Sequence, residues 1–99
     1  MMDKTILVIG TYDTKDDELG FLSGVIKEQG GQVVTMDVSV LGDPSMSTKY
    51  SKHDVAIEGG STIEAAIASG DENHAMQIMA KGASLLAARL FTEGMFDGM

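Results

Sequence analysis

The segment that most constrains the fold is an aliphatic run that ends in a glycine and leads into a helical pattern. Residues 5–9 are β-branched and aliphatic, which is typical of a strand buried on both faces of a parallel sheet. Gly10 ends this run, and a helix is predicted from about residue 15 to residue 29. Residues 32–38 read as a second strand. The sequence therefore predicts a right-handed, parallel β-α-β unit and an α/β fold.

Later segments are predicted to complete a core around this unit. A loop is expected over 41–52, a helical turn over 52–57, a helix that begins at a capping box of Ser61 and Glu64, and a long helix over 71–93. Such a long loop is typical of a lid or an interface segment. The apolar positions expected at the centre of the sheet are Ile6, Val8, Val34 and Met36, and those expected to pack on it are Leu22, Val25, Leu86 and Leu90.

Composition excludes several classes of protein. The chain has 99 residues, is 43% hydrophobic, carries a formal net charge of −8 and has no cysteine. Its length suits one small domain. An acidic balance excludes sequence-independent binding of nucleic acid, which needs a basic face. The lack of cysteine excludes disulfide scaffolds and favours the cytoplasm. No apolar run reaches the roughly 18 residues of a membrane span, so no membrane contact is expected.

Candidate binding residues follow the first strand, where ligands of open α/β sheets are held. They are Gly10, Thr11, Asp13, Thr14 and Lys15. The segment is neither a Gly-x-Gly-x-x-Gly fingerprint nor a P-loop. Asp13 or Thr14 is a candidate N-cap, so simple capping of the helix is the alternative interpretation. A lysine beside a helix N-terminus opposes the helix dipole, which favours a bound anion that compensates it.

Three further residues are candidates for the same site. Asp37 ends the second strand, where a carboxylate commonly accepts hydrogen bonds from a ribose; capping of the next turn is the alternative. Gly59 and Gly60 precede a predicted helix and permit close approach of backbone N–H groups to an anion.

His53 and Asp54 are adjacent, but adjacent helical residues do not face each other, so a surface histidine is expected. No catalytic constellation and no metal site is predicted.

The motifs together resemble those of the tobamovirus-resistance-protein-like family. The matching stretches are residues 8–15, 34–38, 41–42, 58–61, 88–94 and 96–98, which span nearly the whole chain in order. The element Gly-Thr-x-Asp-Thr-Lys at residues 10–15 is the most specific of these.

This resemblance implies a Rossmann-like, three-layer α/β domain that binds ATP. It also implies that residues 1–99 are the N-terminal part of that domain, cut before a glycine-rich phosphate loop and a C-terminal domain that resembles a TIM barrel. Gly10, Thr11, Asp13, Thr14 and Lys15 would then form the first loop of the nucleotide cleft, Asp37 its rim, and Gly59 and Gly60 a further loop.

The expected function is therefore nucleotide binding, as the first half of an ATP cleft. Two alternatives stay open: a protein-interaction or regulatory domain that uses the acidic surface and the 41–52 loop, and part of an enzyme that acts on a small phosphorylated metabolite. An unpaired sheet edge also predicts that the 99-residue chain is a homo-oligomer. Because the glycine-rich loop is absent, the chain is expected to bind ATP weakly or not at all.

Overall fold

A computed structural model describes residues 4–44 and 47–99 of the chain. Its elements, in chain order, are β1 (Thr5–Gly10), α1 (Tyr12–Glu28), β2 (Gln32–Asp37), α2 (Lys52–Glu58), α3 (Ile63–Ala68) and α4 (Glu72–Thr92). The predicted second strand, short helical turn and long helix agree with these bounds to within a residue or two. Residues 45–46 of the predicted loop lie outside the described part.

The two strands are parallel and in register. Leu7 lies opposite Val34, and Ile9 lies opposite Met36. Single bridges extend the sheet on each side, where Tyr50 pairs with Met36 and Gly98 pairs with Ile6, both in parallel. The predicted parallel β-α-β unit is confirmed, whereas the Rossmann-like assignment stays a prediction.

Helices pack on both faces of this small sheet. Side chains alternate along a strand, so Leu7 and Met36 share one face, and they belong to one buried cluster with Val55, Leu86 and Leu90. Helix α1 contacts both strands and covers the opposite face, which carries Ile6 and Val8. No helix in the described ranges is long and apolar enough to cross a membrane.

Helix α1 is less buried than its sequence pattern predicts. Leu22 is 46% exposed and Val25 is 37% exposed, so the expected burial of these two residues was wrong. The reason is that the sheet is too narrow to cover this side of α1. A groove of about 490 Å³ lies beside β1, and its lining includes Ile6, Leu22 and Ile26. On the other face, the predicted burial of Leu86 and Leu90 is confirmed.

The helix starts differ from the predicted ones. Helix α1 begins at Tyr12 rather than near Lys15, and Thr11 is its N-cap without a side-chain hydrogen bond. The backbone of Lys15 is non-helical (φ −116°, ψ 16°), so the helix breaks where it was predicted to begin. The predicted caps at Asp13 and Thr14 were therefore wrong. Helix α3 is capped by Thr62 rather than by Ser61, since the Thr62 side chain accepts from the N–H of Ala65.

Helices α2 and α4 meet at two glycines. A Cβ atom on Gly82 would collide with the backbone oxygen of Val55, and one on Gly59 would collide with the backbone oxygen of Ile78. Neither of these neighbours is a flexible side chain. The close approach of the two helices therefore depends on the absence of a side chain at both positions.

Substitution of Gly82 tests this contact. We expect Gly82→Ala to lower the free energy of unfolding by about 1 to 3 kcal/mol, because the added methyl group forces α2 away from α4. Gly24→Ala is the matched control in α1, where nothing lies within 4 Å of the added atom. Gly24→Ala should raise the free energy of unfolding by about 0.5 to 1 kcal/mol through helix propensity. If urea denaturation showed that both substitutions change the free energy of unfolding in the same direction, this result would contradict the close packing of α2 and α4.

Candidate ligand-binding cleft

A cleft of about 600 Å³ opens where β1 and β2 end. Three segments line it: the start of α1 with its N-cap, through Thr11, Asp13 and Thr14, the segment after β2 through residues 38–41, and the α3–α4 region. Parallel strands finish at the same edge of a sheet, and the connections that leave this edge diverge and form a crevice. Its volume lies within the range of small-molecule sites, about 300 to 1,000 Å³.

The cleft combines an apolar lining with an acidic one. Its apolar side chains come from both sides and include Val38, Val40, Ala66, Ala75 and Met76. Its carboxylates are Asp13, Asp71 and Glu72, and the residues described as lining it include no lysine, arginine or histidine.

Two helices start at this cleft. The N-terminus of α4 is already occupied, because the carboxylate of Asp71 accepts from the N–H groups of Asn73 (3.0 Å) and His74 (3.3 Å). The N-terminus of α1 also meets a carboxylate, since the N–H of Tyr12 donates to Oδ1 of Asp37 (3.3 Å), although its N-cap Thr11 makes no side-chain capping bond. Two threonines at this end of α1, Thr11 and Thr14, line the cleft.

Asp37 holds the end of β2 to the start of α1. It is 1% exposed, and its Oδ1 accepts from the Ser39 hydroxyl (2.6 Å), the Ser39 N–H (2.9 Å) and the Tyr12 N–H (3.3 Å). Asp37 is not among the residues that line the cleft. Its structural role is to position the two connections that do, and a contact with a ribose stays a prediction.

Gly10 and Lys15 flank the cleft without lining it. A Cβ atom on Gly10 would lie 2.5 Å from Leu19, so the glycine lets α1 approach the end of β1. The Lys15 ammonium lies 3.7 Å from Glu18, and both side chains are exposed. Lys15 therefore belongs to the outer surface of α1.

A buried lysine near the cleft was not anticipated from the sequence. Lys52 is 7% exposed, and its ammonium donates to the backbone oxygens of Val40 (3.2 Å) and Gly42 (2.9 Å). Asp13 contacts the same segment, since its Oδ2 accepts from the N–H of Gly42 (3.3 Å). No sequence pattern distinguishes Lys52 from an ordinary surface lysine at a helix start.

The other sequence candidates lie away from the cleft. Gly59 packs between α2 and α4, and Gly60 has a positive φ of 82° in the turn that follows α2. The expected surface position of His53 agrees with the structure, in which it is exposed, 3.8 Å from Glu64. Among the described residues, no group of three or more acidic, histidine or cysteine side chains is arranged to hold a metal ion.

Tyr12, the first residue of α1, is in a buried and negatively charged environment. Its side chain is buried, and its hydroxyl donates to the backbone oxygen of Val8 (3.3 Å). Burial, and secondly the negative charge of Asp37, raise the pKa of Tyr12 above its ordinary value of 10.0. Both causes disfavour the phenolate form.

We expect the raised pKa of Tyr12 to make stability depend on pH in the alkaline range. Below pH 10.0 the protonated Tyr12 side chain contributes fully to the free energy of unfolding. This contribution is lost as the pH rises through the higher pKa of the folded state, because the tyrosine of the unfolded chain ionises more easily. Tyr12→Phe should therefore flatten the fall in the free energy of unfolding above this pH. The chain has two tyrosines, so the difference between the ultraviolet titrations of the two proteins isolates Tyr12. A Tyr12 transition at or below its ordinary pKa would contradict the burial argument.

Asp37→Ala should lower the free energy of unfolding by about 2 to 4 kcal/mol, because it leaves the N–H groups of Tyr12 and Ser39 without their acceptor. Asp17→Ala, at an exposed carboxylate of α1, is the control and should change it by less than about 0.5 kcal/mol. Chemical denaturation of the three proteins measures both effects. Equal stabilities would show that Asp37 does not hold the strand ends together.

Comparison with known proteins identifies relatives but no solved structure. A family profile, that of the N-terminal domain of the uncharacterised protein family UPF0261, matches residues 4–99. A UPF0261 protein of Brucella suis is 54% identical over 94 residues, which are 95% of this chain and 22% of the relative. One of Clostridium tetani is 37% identical over 98 residues, which are 99% of this chain and 24% of the relative. No solved structure gives a significant match.

These matches correct the resemblance on which ATP binding was expected. They show no sign of a tobamovirus-resistance family, so that identification was wrong. The glycines of the motifs that suggested that family have local structural roles here. Gly10 leaves space for the Leu19 side chain, and Gly59 packs against α4. The chain spans about a fifth to a quarter of the length of the relatives it matches. It belongs to the uncharacterised protein family UPF0261, as a form of its N-terminal domain.

Proposed function

We propose that the cleft at the carboxyl ends of β1 and β2 binds a nucleotide, with ATP as the first candidate. The observation that carries this proposal is the position of a cleft of about 600 Å³ beside the first turn of α1, whose N-cap Thr11 makes no side-chain capping bond. Helix N-termini at this edge of parallel sheets are favourable positions for the phosphates of nucleotides.

The apolar lining suits the base. Val38 and Val40 stand on one side of the cleft, and Ala66, Ala75 and Met76 stand on the other. A flat, aromatic base gains from burial between two such surfaces. The nearby carboxylates of Asp13 and Glu72 supply acceptors for ribose hydroxyls or for the amino group of a base.

The charge of the cleft determines where the phosphates lie. Asp13, Asp71 and Glu72 repel a polyphosphate that is held deep among them. We therefore place the phosphates at the mouth, near Thr11, Thr14 and the dipole of α1. Lys15 is exposed on α1, close in sequence to these threonines, and we assign the contact with the phosphates to its flexible side chain.

A protein-interaction function is the second candidate, and the cleft rim favours it. Leu41 is 79% exposed and Met76 is 59% exposed, and both border the cleft. Exposed apolar side chains around a depression also suit the insertion of a side chain from a protein partner. This candidate predicts that no nucleotide binds to the cleft.

Calorimetric titration of the 99-residue chain with ATP and with adenosine distinguishes the two candidates. We expect both to bind, since both have the base and the ribose. Lys15→Ala should weaken ATP binding by about 1.5 to 3 kcal/mol, because a charge-assisted contact with phosphate is lost. The same substitution should leave adenosine binding unchanged.

Lys81→Ala is the matched control. Lys81 is exposed on α4 and does not line the cleft, so its removal should weaken ATP binding by less than about 0.5 kcal/mol. If neither ligand binds to the unmodified chain, the nucleotide proposal is wrong and the protein-interaction function is preferred. If both lysine variants weaken ATP binding equally, the effect is general charge attraction and not a phosphate site.

A further inference from the structure

One wall of the cleft is held from both sides by charged groups. The wall is the segment of residues 38–43 that follows β2, and residues 38–41 of it face the cleft. Behind it, the Lys52 ammonium contacts the backbone oxygens of Val40 and Gly42. In front of it, the Asp13 carboxylate accepts from the N–H of Gly42. Gly42 is thus held through both its N–H and its carbonyl group.

The burial of Lys52 distinguishes it from the exposed lysines of the chain. An ammonium group is costly to remove from water unless polar partners replace the water. Two carbonyl oxygens and the Asp43 carboxylate (3.0 Å) replace it here. Asp43 is itself 84% exposed, so its ion pair is weakened by solvent. The two carbonyl contacts are the ones that fix the wall.

Gly42 fits closely against the opposite side of the cleft entrance. A Cβ atom at this position would lie 2.9 Å from the Cβ of Asp13 and 3.0 Å from its Oδ2. There is no room for a side chain between the wall and the start of α1. A small displacement of Gly42 therefore changes the spacing between the two segments that line the cleft.

We propose that Lys52 is a positioning residue of the cleft, which fixes the wall of residues 38–43 against Asp13 and so sets the width available to a bound molecule. Lys52 does not touch the ligand. Its effect on ligand binding rests on the function proposed above, whereas its effect on the wall does not.

The first measurement uses the protein without ligand. We expect Lys52→Met, which keeps the aliphatic stem, to make the Gly42 amide exchange with solvent about tenfold to a hundredfold faster, the factors that correspond to loss of charge-assisted hydrogen bonds. Hydrogen exchange followed by nuclear magnetic resonance resolves this amide. Lys81→Met is the same substitution at an exposed lysine of α4 and should leave the exchange unchanged.

A second control separates positioning from general loss of stability. Val55 is fully buried in the core away from the cleft lining, so Val55→Ala destabilises the whole fold. At equal loss of global stability, exchange at Gly42 should be faster in Lys52→Met than in Val55→Ala. Equal exchange in these two variants, or unchanged exchange in Lys52→Met, would overturn the proposal.

The third measurement is ATP affinity, which we expect to fall about tenfold or more in Lys52→Met and to stay unchanged in Lys81→Met. If the unmodified chain binds no nucleotide, the proposed function fails, and the exchange data alone still decide whether Lys52 holds the wall. Should Lys52→Met not fold, Gly42→Ala displaces the wall directly and should accelerate exchange at the same amide. Unchanged exchange in Gly42→Ala would overturn the proposal as well.

Discussion

The parallel pairing of β1 with β2 is the constraint from which the rest of the architecture follows. Parallel neighbours need a crossover rather than a hairpin, so the chain must return through α1 before β2 can pair. Both strands then end at one edge, where the chain leaves in two directions. On the face of the sheet that lies opposite to α1, Leu7 and Met36 are buried by α2 and α4. The position of the cleft is therefore a consequence of strand direction and not of any local motif.

Two buried charged side chains, those of Asp37 and Lys52, fix the shape of the cleft. Asp37 accepts hydrogen bonds from both connections that leave the strands, while Lys52 donates to the wall after β2. Each charge is costly to bury, and each is compensated by backbone groups that would otherwise lack partners. Apolar packing alone would cover the sheet, but it would not fix the direction of the loops. The contacts of Asp37 and Lys52 lie where the chain turns at the edge of the cleft.

The sequence predicted those parts of the fold that depend on local periodicity. The sequence correctly predicted the strands β1 and β2 from their aliphatic runs. It also correctly predicted the burial of Leu86 and Leu90 from the apolar stripe of α4, because burial repeats with the period of each element. The caps and the contacts that hold the cleft wall were not, because they depend on distant partners. The Asp13 carboxylate bonds to the N–H of Gly42, 29 residues away, instead of capping α1. Lys52 is buried by a segment 10 to 12 residues before it, and Gly59 meets α4 rather than the cleft.

The outer side of β1 has a consequence for the order in which the chain folds. The Thr5 N–H donates to the carboxylate of Asp97 at 2.8 Å, a contact that joins residues 92 positions apart. Contacts between β1, α1 and β2 close much shorter loops and can form earlier. Synthesis of residues 38–97 takes about 3 to 12 s at about 5 to 20 residues per second. During this interval on the ribosome, one side of the nascent first strand has no partner, and a chaperone that shields it would protect the chain from aggregation.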